Sequence, residues 1–457
     1  MPIATINPAT GEVLKTYEPM SPDQIGAAIG RAAEGFRTLT GTSFASRTGW
    51  MRAAADLLDA ERDEIARTMV TEMGKTYPAA KAEVTKCAGA CRFYADHAED
   101  FLADEPRDAT AVQASQAYVR YQPLGPVLAV MPWNFPLWQV IRFAAPALMA
   151  GNVGLLKHAS NVPQTALYLN ELFVRAGFPA GAFQTLLVGS DAVERILTDP
   201  RVRAATLTGS EAAGRSVAAI AGREVKKTVL ELGGSDPFLV MPSADLARAA
   251  EVAATSRCLN NGQSCISAKR FIVHTQVYDA FAERFAAAMR AQEMGEPMDE
   301  RTKLGPLATE QGRKDVQAQV ADAVDKGATV LVGGDPPDRP GWWYPATVVT
   351  GITDDMRMYR EEVFGPVAGL YRAASVGEAI AIANDTDFGL GSNAWTTDDA
   401  ERERLVNELD AGQVFINGMV TSYPPLPFGG VRHSGYGREL SSEGIKEFCN
   451  AKTVWVG

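Results

Sequence analysis

Apolar residues recur at helical spacing through the first hundred residues, after a short strand-like start. Ser21 followed by Pro22 and Gln24 forms a capping-box sequence, with proline at the first helical position. The helical spacing continues to about Leu102, and a polar, proline-containing stretch at 104–108 ends it. The pattern therefore predicts a mostly helical N-terminal region.

A regular alternation of strands and helices follows an alternating segment at 117–121, which is typical of a hairpin strand. Short buried strands that alternate with helices form a parallel sheet wound in the Rossmann manner. The predicted strands are 127–131, 153–157, 183–188, 204–208 and 225–232, with helices at 137–150, from residue 163, and up to residue 221.

The glycine-rich run at 233–237 breaks this alternation and is the best candidate for a domain boundary. A second α/β series follows it, and the last residues again have a strand pattern. The predicted strands are 270–273, 329–331, 413–416 and 453–456.

Composition limits the functions that this fold could serve. The chain has 457 residues, 46% hydrophobic content and a net charge of −11, so a basic nucleic-acid or anionic-membrane surface is not expected. The start shows no signal-peptide pattern, and no apolar run reaches the ~18 residues of a membrane helix. We expect a cytoplasmic protein.

The cysteines are five in number and scattered, which suits a reducing compartment. Cys87 and Cys91 lie four apart on a predicted helix, the spacing of two metal ligands. The sequence has no second cysteine pair and only four histidines. Buried structural thiols are therefore the better interpretation, and no metal site is expected.

The glycine fingerprint of dinucleotide-binding folds is absent after the first predicted strand. Residues 208–214 instead carry a predicted strand into a helix through Gly209. The free N–H groups of a helix start suit a pyrophosphate. A glycine used only for tight strand-to-helix packing explains the pattern equally well, so both interpretations stay open.

Four short segments each carry an unusual group. Asn134 lies in the turn Pro-Trp-Asn-Phe-Pro, and Glu231 ends an otherwise apolar strand. Cys265 follows the polar stretch Asn-Asn-Gly-Gln-Ser, and residues 361–366 form an acidic-aromatic loop. Taken singly, a structural thiol, a helix cap and a surface strand end are the alternatives. Together the segments supply a nucleophile, an amide donor and a carboxylate base, which chemistry at a carbonyl requires.

These segments resemble the aldehyde dehydrogenase superfamily over essentially the whole chain. The motifs Pro-Trp-Asn-Phe-Pro, Leu-Glu-Leu-Gly-Gly, Gly-Gln-Ser-Cys and Glu-Val-Phe-Gly-Pro are jointly specific for it. Residues 7–11, 428–430 and 434–439 match further motifs of the same family. Within the superfamily the chain is most similar to NADP-type succinate-semialdehyde dehydrogenases. The resemblance also explains the missing fingerprint, because this family binds its dinucleotide without one.

The resemblance implies an α/β fold of the aldehyde dehydrogenase type with three parts. Residues 1–109 and 124–232 would form a Rossmann-type dinucleotide-binding domain, and residues 233–445 an α/β catalytic domain. A small hairpin at 110–123 and the terminal segment 446–457 would join subunits into a homodimer or homotetramer. An exposed terminal strand needs a partner edge, which is consistent with this expectation.

The resemblance also assigns catalytic roles. Cys265 would attack the aldehyde, and Asn134 with the Cys265 backbone N–H would hold the oxyanion of the thiohemiacetal. Hydride transfer to the nicotinamide would leave a thioester, and Glu231 would activate the water that hydrolyses it. Lys157 and Glu439 would help to relay protons.

The cofactor expected from the resemblance is NADP, with NAD as the alternative. NAD-preferring members commonly carry a glutamate where this chain has Ser160. A short neutral side chain removes the carboxylate that would repel a 2′-phosphate, and Lys157 can pair with that phosphate. The expected contact residues are Trp133, Lys157, Ser160, Gly209, Ser210, Leu232, Glu362 and Phe364.

The expected substrate is succinic semialdehyde, because Arg142 occupies the position at which the family's succinate-semialdehyde dehydrogenases hold the distal carboxylate. Its neighbours on the predicted helix are apolar, and Trp138 shares its face. Some members carry a second arginine where this chain has Leu259. Carboxylate binding would then fall to Arg142 and the Ser422-Tyr423 loop.

Other functions fit parts of the pattern. A dehydrogenase of another short aldehyde would share the chemistry, and a CoA-acylating dehydrogenase usually lacks the glutamate found at position 231. A cysteine hydrolase would need a histidine near the thiol, and a non-catalytic protein could have lost the three central groups. None of the histidines has a supporting motif; they are His97, His158, His274 and His433.

Overall fold

The N-terminal region is a helical layer, as its apolar spacing predicts. The structure is a computed structural model that describes residues 2–457. Ser21 and Gln24 form the predicted capping box, in which each side chain accepts a hydrogen bond from the other residue's backbone N–H. The elements are a hairpin of β1 (Ile3–Ile6) and β2 (Val13–Tyr17), then α1 (Pro22–Thr40), α2 (Phe44–Ala60), α3 (Arg62–Met73) and α4 (Tyr77–Phe101).

A six-stranded sheet follows, after β3 (Glu105–Pro106) and β4 (Gln116–Pro123). Its central strands are parallel in the order β9-β8-β5-β6-β7, so the chain winds outward in both directions from β5. This confirms the predicted Rossmann-type winding. Its elements are β5 (Pro126–Met131), α5 (Trp138–Ala150), β6 (Val153–His158), α6 (Pro163–Arg175), β7 (Phe183–Thr185), α7 (Val193–Thr198), β8 (Ala204–Thr208), α8 (Glu211–Arg223) and β9 (Lys227–Glu231).

A seven-stranded sheet forms the second half, in the order β12-β13-β14-β11-β10-β15-β16. All neighbouring pairs are parallel except β12 with β13. The elements are β10 (Pro237–Val240), α9 (Leu246–Cys258), β11 (Arg270–His274), α10 (Tyr278–Arg290), α11 (Glu310–Asp325), β12 (Thr329–Val332), β13 (Thr347–Thr350), α12 (Arg357–Arg360), β14 (Val367–Ala373), α13 (Val376–Asn384), β15 (Ser392–Trp395), α14 (Asp399–Glu408) and β16 (Val414–Ile416).

The C-terminal segments return to the first half of the chain. The short β17 (Gly435–Tyr436) pairs antiparallel with β9 and brings Gly435 opposite Glu231. After α15 (Ser441–Lys446), β18 (Cys449–Val456) pairs antiparallel with β4 along its whole length. Strands β18, β4 and β3 therefore form a separate three-stranded sheet with β18 at one edge.

Helix α5 lies at the centre of the core shared by the helical layer and the first sheet. All 13 of its residues are buried, including Arg142 and Gln139. Its N-terminal N–H groups at Leu137 and Trp138 donate to one carboxylate oxygen of Glu83 on α4, each at 2.9 Å. Because an acidic side chain caps and complements a helix start, Glu83 fixes the position of α5.

Candidate active site

A cavity of about 210 Å³ lies where four segments distant in sequence converge. Its walls come from α4, from α5, from the loop around Cys265 and from residues 419–422. The lining is mostly apolar, and Cys265, Arg142, Trp138 and Ser422 all reach it. The structure therefore brings the predicted nucleophile together with three of the four predicted substrate-binding residues.

Tyr423, the fourth, does not line this cavity. Its side chain is 49% exposed, whereas that of Ser422 is 3% exposed. The lining contributed by this segment ends at Ser422, since residues 419–422 reach the cavity and Tyr423 does not. Of the predicted pair, only Ser422 faces the cavity.

The loop that carries Cys265 is held in an unusual backbone conformation. Asn260 and Asn261 both have left-handed φ angles, of 55° and 59°. The Asn260 side-chain amide donates to the Asn134 carbonyl at 2.6 Å, and the Asn261 amide donates to the carbonyls of Gly74 and Pro306 at 2.9 Å. These bonds offset the strain and hold the loop to the helical layer.

Lys269 holds the same loop through hydrogen bonds to its backbone carbonyls. Its ammonium donates to the carbonyls of Ser264, Cys265 and Ser267 at 3.0, 2.8 and 3.1 Å. The ammonium also lies 3.3 Å from a Glu362 carboxylate oxygen. Burial raises the pKa of the Cys265 thiol to about 12, while Arg142 and Lys269 oppose the rise. The thiol is therefore neutral before substrate enters, and its attack requires a proton acceptor.

Asn134 lies beside the Cys265 loop and is 4% exposed. Its side-chain Nδ2 donates to the Gln263 carbonyl at 3.1 Å. A primary amide carries two N–H groups, so one remains for a further acceptor. Residues 133–136 are thus tied to the loop in both directions, since the Asn134 carbonyl accepts from Asn260.

Glu231 ends β9, as predicted, and is 2% exposed. Within residues 2–457 neither of its carboxylate oxygens has a hydrogen-bond partner. Burial raises its pKa well above the ordinary value, Arg142 lowers it, and Glu439 raises it further. A buried, unsatisfied carboxyl group with a raised pKa is suited to acid–base chemistry.

Arg142 is 2% exposed and already has an anionic partner. It forms a buried ion pair with Glu439, and its guanidinium lies 4.5 Å from the ring centre of Phe428. One terminal nitrogen lies 3.5 Å from the Thr208 hydroxyl. Glu439, expected in a proton relay, is therefore engaged by Arg142. Lys157 lies on β6 and does not line the cavity.

Trp133, Ser160, Gly209, Ser210 and Leu232 follow the carboxyl ends of β5, β6, β8 and β9, the edge at which ligands bind in open parallel sheets, and Glu362 and Phe364 lie between α12 and β14. The Trp133 ring meets Phe364 edge-on, with ring centres 5.7 Å apart. Glu362 accepts from the Gly234 N–H at 3.1 Å. Ser210 caps α8 by accepting from the Ala213 N–H at 3.4 Å. None of these residues lines the cavity.

Two glycines near the start of α8 differ in whether packing alone explains them or space is left for a pyrophosphate. A Cβ at Gly214 would lie 2.6 Å from the Leu232 side chain, so tight packing requires that glycine. A Cβ at Gly209 would meet only Leu207, at an ordinary 3.6 Å. Packing therefore explains Gly214, whereas at Gly209 the absent side chain leaves open space beside the helix start.

Several side chains that shape the site carry no sequence motif. The buried Glu83, which caps α5, pairs with the buried Lys75 of the preceding turn. Lys86, one turn further along α4, lines the cavity itself. Helical periodicity alone marks these residues as inward-facing, and a buried charge on such a face is the one signal that could have drawn attention to them.

Residues 2–457 contain neither a metal-binding cluster nor a membrane-spanning helix. All five cysteines, which fall in the described range, are unpaired, and burial raises the pKa of Cys91 to about 12. No group of three His, Cys, Asp or Glu side chains in residues 2–457 is arranged to hold a metal ion. No described helix combines the length and the apolar character needed to cross a bilayer.

Comparison with known proteins matches the site and the fold. The model of the aldehyde dehydrogenase family matches residues 1–454. The chain is 66% identical over 458 residues to a succinate-semialdehyde dehydrogenase [NADP(+)] of Mycolicibacterium paratuberculosis, covering all of this chain and 97% of that one. It is 65% identical over 456 residues to succinate-semialdehyde dehydrogenase [NADP(+)] 1 of Mycobacterium tuberculosis, with both chains fully covered.

Solved structures agree. Succinic semialdehyde dehydrogenase from Streptococcus pyogenes, in complex with NADP⁺, superimposes with a TM-score of 0.96 at 39% identity, over 99% of each chain. The carboxyl-end placement of Asn134 and Glu231, the loop around Cys265 and this similarity over both full lengths have one explanation. The chain belongs to the aldehyde dehydrogenase family.

Proposed function

We propose that the protein oxidises succinic semialdehyde to succinate with NADP⁺ as the hydride acceptor. The observation that carries the proposal is that Cys265 and Arg142 line one mostly apolar cavity. A thiol and a cation in one cavity lining suit a short aldehyde that carries a carboxylate. The relatives from two mycobacterial species are named for this substrate and this cofactor.

In the proposed reaction the Cys265 sulfur bonds to the aldehyde carbon and its proton leaves to a base. The second amide N–H of Asn134 and the Cys265 backbone N–H stabilise the resulting oxyanion. Removing one such donor typically costs ~10²–10³ in rate. Loss of hydride from that carbon gives a thioester. Glu231, as a carboxylate, accepts a proton from water, and attack by that water releases succinate and regenerates the thiol.

NADP, when bound, supplies the hydride acceptor. The residues present fit it: Lys157 is a partly buried cation whose pKa burial lowers, and Ser160 next to it brings no negative charge. Open space at Gly209 and the N-terminal N–H groups of α8 suit a pyrophosphate. We assign Trp133, Leu232, Glu362 and Phe364 to the remaining contacts, with NAD as the weaker alternative.

The domain and assembly assignments belong to this proposal as well. Residues 1–109 and 124–232 would bind the cofactor, residues 233–445 would carry catalysis, and residues 110–123 with 446–457 would join subunits. The outer strand β18 presents the exposed Trp455 and Val456 and lies at a sheet edge. Such an edge needs a partner, which supports a homodimer or homotetramer. Five unpaired thiols support a cytoplasmic location.

The test measures reduced-cofactor formation at 340 nm with succinic semialdehyde and with butanal, each with NADP⁺ and NAD⁺ and without coenzyme A. We expect the highest kcat/KM with succinic semialdehyde and NADP⁺, and stoichiometric succinate. Equal kcat/KM for the two aldehydes would remove the substrate assignment, and a requirement for coenzyme A would replace water as the acyl acceptor.

A further inference from the structure

Lys86 is a basic side chain in the cavity wall that no catalytic or cofactor motif marks. It lies on α4, where Ala79, Ala82 and Glu83 share its face and also line the cavity. The two alanines leave room in front of that face. The Lys86 ammonium donates to the Ser422 hydroxyl at 2.6 Å and lies 4.1 Å from the ring centre of Trp138.

The carboxylates nearest to Lys86 are committed elsewhere. Glu83 pairs with Lys75 and accepts both N–H groups at the start of α5. Glu439 pairs with Arg142. Lys86 itself forms no ion pair with a carboxylate of the described chain, and its partners are a hydroxyl and an aromatic face. A half-buried ammonium with such partners has unused capacity for an anion.

Ser422 is oriented by two donors at once. Its Oγ accepts from the Lys86 ammonium and from the Trp138 indole N–H, the latter at 3.1 Å. A serine hydroxyl has two lone pairs and one hydrogen, so both acceptor positions are filled. The hydrogen is what remains, and it can only donate. Lys86 thereby turns Ser422 into a donor for an acceptor inside the cavity.

Arg142 lines the same cavity and repels Lys86. Together with burial, which is the larger cause, it lowers the pKa of Lys86 to about 8. Two like charges in one apolar wall are unfavourable until an anion lies between them. The wall from the Cys265 loop brings Leu259, Asn260, Ser264, Cys265 and Ile266 and no cationic side chain, so the cations that face a bound anion come from α4 and α5.

We propose that Lys86 is a specificity-determining residue that binds the distal carboxylate of the substrate, directly and through the oriented Ser422 hydroxyl, together with Arg142. The inference rests on the proposed oxidation of a semialdehyde acid. It adds a second cation, from a helix that contributes no recognised motif. Aldehydes of the same length without the carboxylate gain nothing from Lys86.

The experiment compares Lys86→Met with the wild-type enzyme on succinic semialdehyde and butanal at pH 7. Loss of a charged hydrogen bond predicts a fall of ~10–100-fold in the ratio of the two kcat/KM values. The loss should come from a rise in KM rather than a fall in kcat, because the carboxylate is remote from the reacting carbon. Lys86→Arg should restore most of the ratio. Lys81→Met is the matched control, since Lys81 lies on the same helix but pairs with Glu300 outside the cavity.

The outcomes distinguish the role of Lys86 from the proposed oxidation of succinic semialdehyde. A wild-type enzyme without preference for succinic semialdehyde would overturn the proposed function. A wild-type preference that Lys86→Met keeps would overturn the role of Lys86 and leave Arg142 as the cation. Equal losses on both aldehydes, or no recovery in Lys86→Arg, would assign Lys86 a packing role against Trp138. Competitive inhibition of butanal oxidation by succinate gives a second measure, and its Ki should rise in Lys86→Met.

Discussion

Two regions of the site differ in charge: one holds the reacting groups near neutrality, and the other, called the far end, carries two cations. Cys265 in the cavity lining and Glu231 at the end of β9 are together called the thiol end, and burial raises the pKa of both, so the reacting groups are held towards their neutral forms. At the far end, Arg142 and Lys86 present two cations to the same apolar lining. One is compensated by Glu439, and the other contacts only Ser422 and Trp138.

The difference separates chemistry from selection. The thiol end needs only a carbonyl carbon, and its two groups react once each has lost its proton. The far end needs an anion, because two nearby cations with one internal carboxylate leave positive charge uncompensated. We therefore expect substitutions at the thiol end to reduce turnover of every aldehyde, and substitutions at the far end to change the choice among aldehydes.

Glu231→Gln should have the largest effect and tests the thiol end. We expect a first-turnover burst of reduced cofactor to remain while the steady-state rate falls by ~10²–10⁴-fold, since only thioester hydrolysis loses its base. Stopped-flow absorbance at 340 nm measures both phases. Both aldehydes should be affected alike. Cys265→Ala is the control that removes the burst as well, and a full steady-state rate in either variant would refute the assigned chemistry.

Arg142→Leu tests the far end. Loss of its contact predicts a fall of ~10–100-fold in kcat/KM for succinic semialdehyde relative to butanal. The same change leaves Glu439 buried without its cation, and breaking such a pair typically costs ~3–5 kcal/mol of stability.

A companion variant separates these effects. Arg142→Leu combined with Glu439→Gln removes the unpaired charge, so thermal stability should recover while the selectivity loss persists. Recovery of selectivity together with stability would mean that Arg142 acts only through the fold.

Sequence patterns reached the thiol end more completely than the far end. Cys265, Asn134 and Glu231 each lie in a contiguous motif at a strand end or turn, so the neighbouring residues in the sequence are enough to identify them. The pairing of Arg142 with Glu439 joins residues almost 300 positions apart. Lys86 faces the cavity only because α4 packs against α5, which helical spacing alone does not reveal.

The fold shows the same limit. The buried parallel strands of the first sheet were predicted from their apolar runs. The pairing of Gly435 with Glu231, which adds a strand to that sheet, is invisible in a two-residue segment. Strands β10, β13, β14 and β15 were missed, because short apolar runs in this half are not separated by clear helical patterns.

Ser160→Glu changes the proposed cofactor site and should not alter the difference between the thiol end and the far end. A carboxylate at this position repels a 2′-phosphate and can hold ribose hydroxyls, so the ratio of kcat/KM for NADP⁺ to that for NAD⁺ should fall by ~10–50-fold. Initial rates with each cofactor measure it. Ser160→Ala, which adds no charge, is the matched control. The preference for succinic semialdehyde over butanal should not move, and an unchanged cofactor ratio would contradict the assignment of Ser160.

The smallest expected effect is a pH dependence that belongs to selectivity alone. Because the pKa of Lys86 is lowered to about 8, its ammonium is charged at pH 7 and mostly neutral at pH 9. The groups that face it are Glu83 and Cys87 on α4 and Arg142 on α5. Carboxylate binding is therefore present below pH 8 and lost above it. Between pH 7 and pH 9 the ratio of kcat/KM for succinic semialdehyde to that for butanal should fall by ~5–10-fold.

Ionisation of Cys265 and Glu231 alters the rate with both aldehydes and so cancels in that ratio. Lys86→Met should give a low ratio that does not vary with pH, since the titrating cation is gone. Lys86→Arg should give a high ratio that does not fall, because a guanidinium stays charged throughout this range. A wild-type ratio that is constant from pH 7 to pH 9 would show that charge at the far end comes from Arg142 alone, and the two ends would then differ by one cation rather than two.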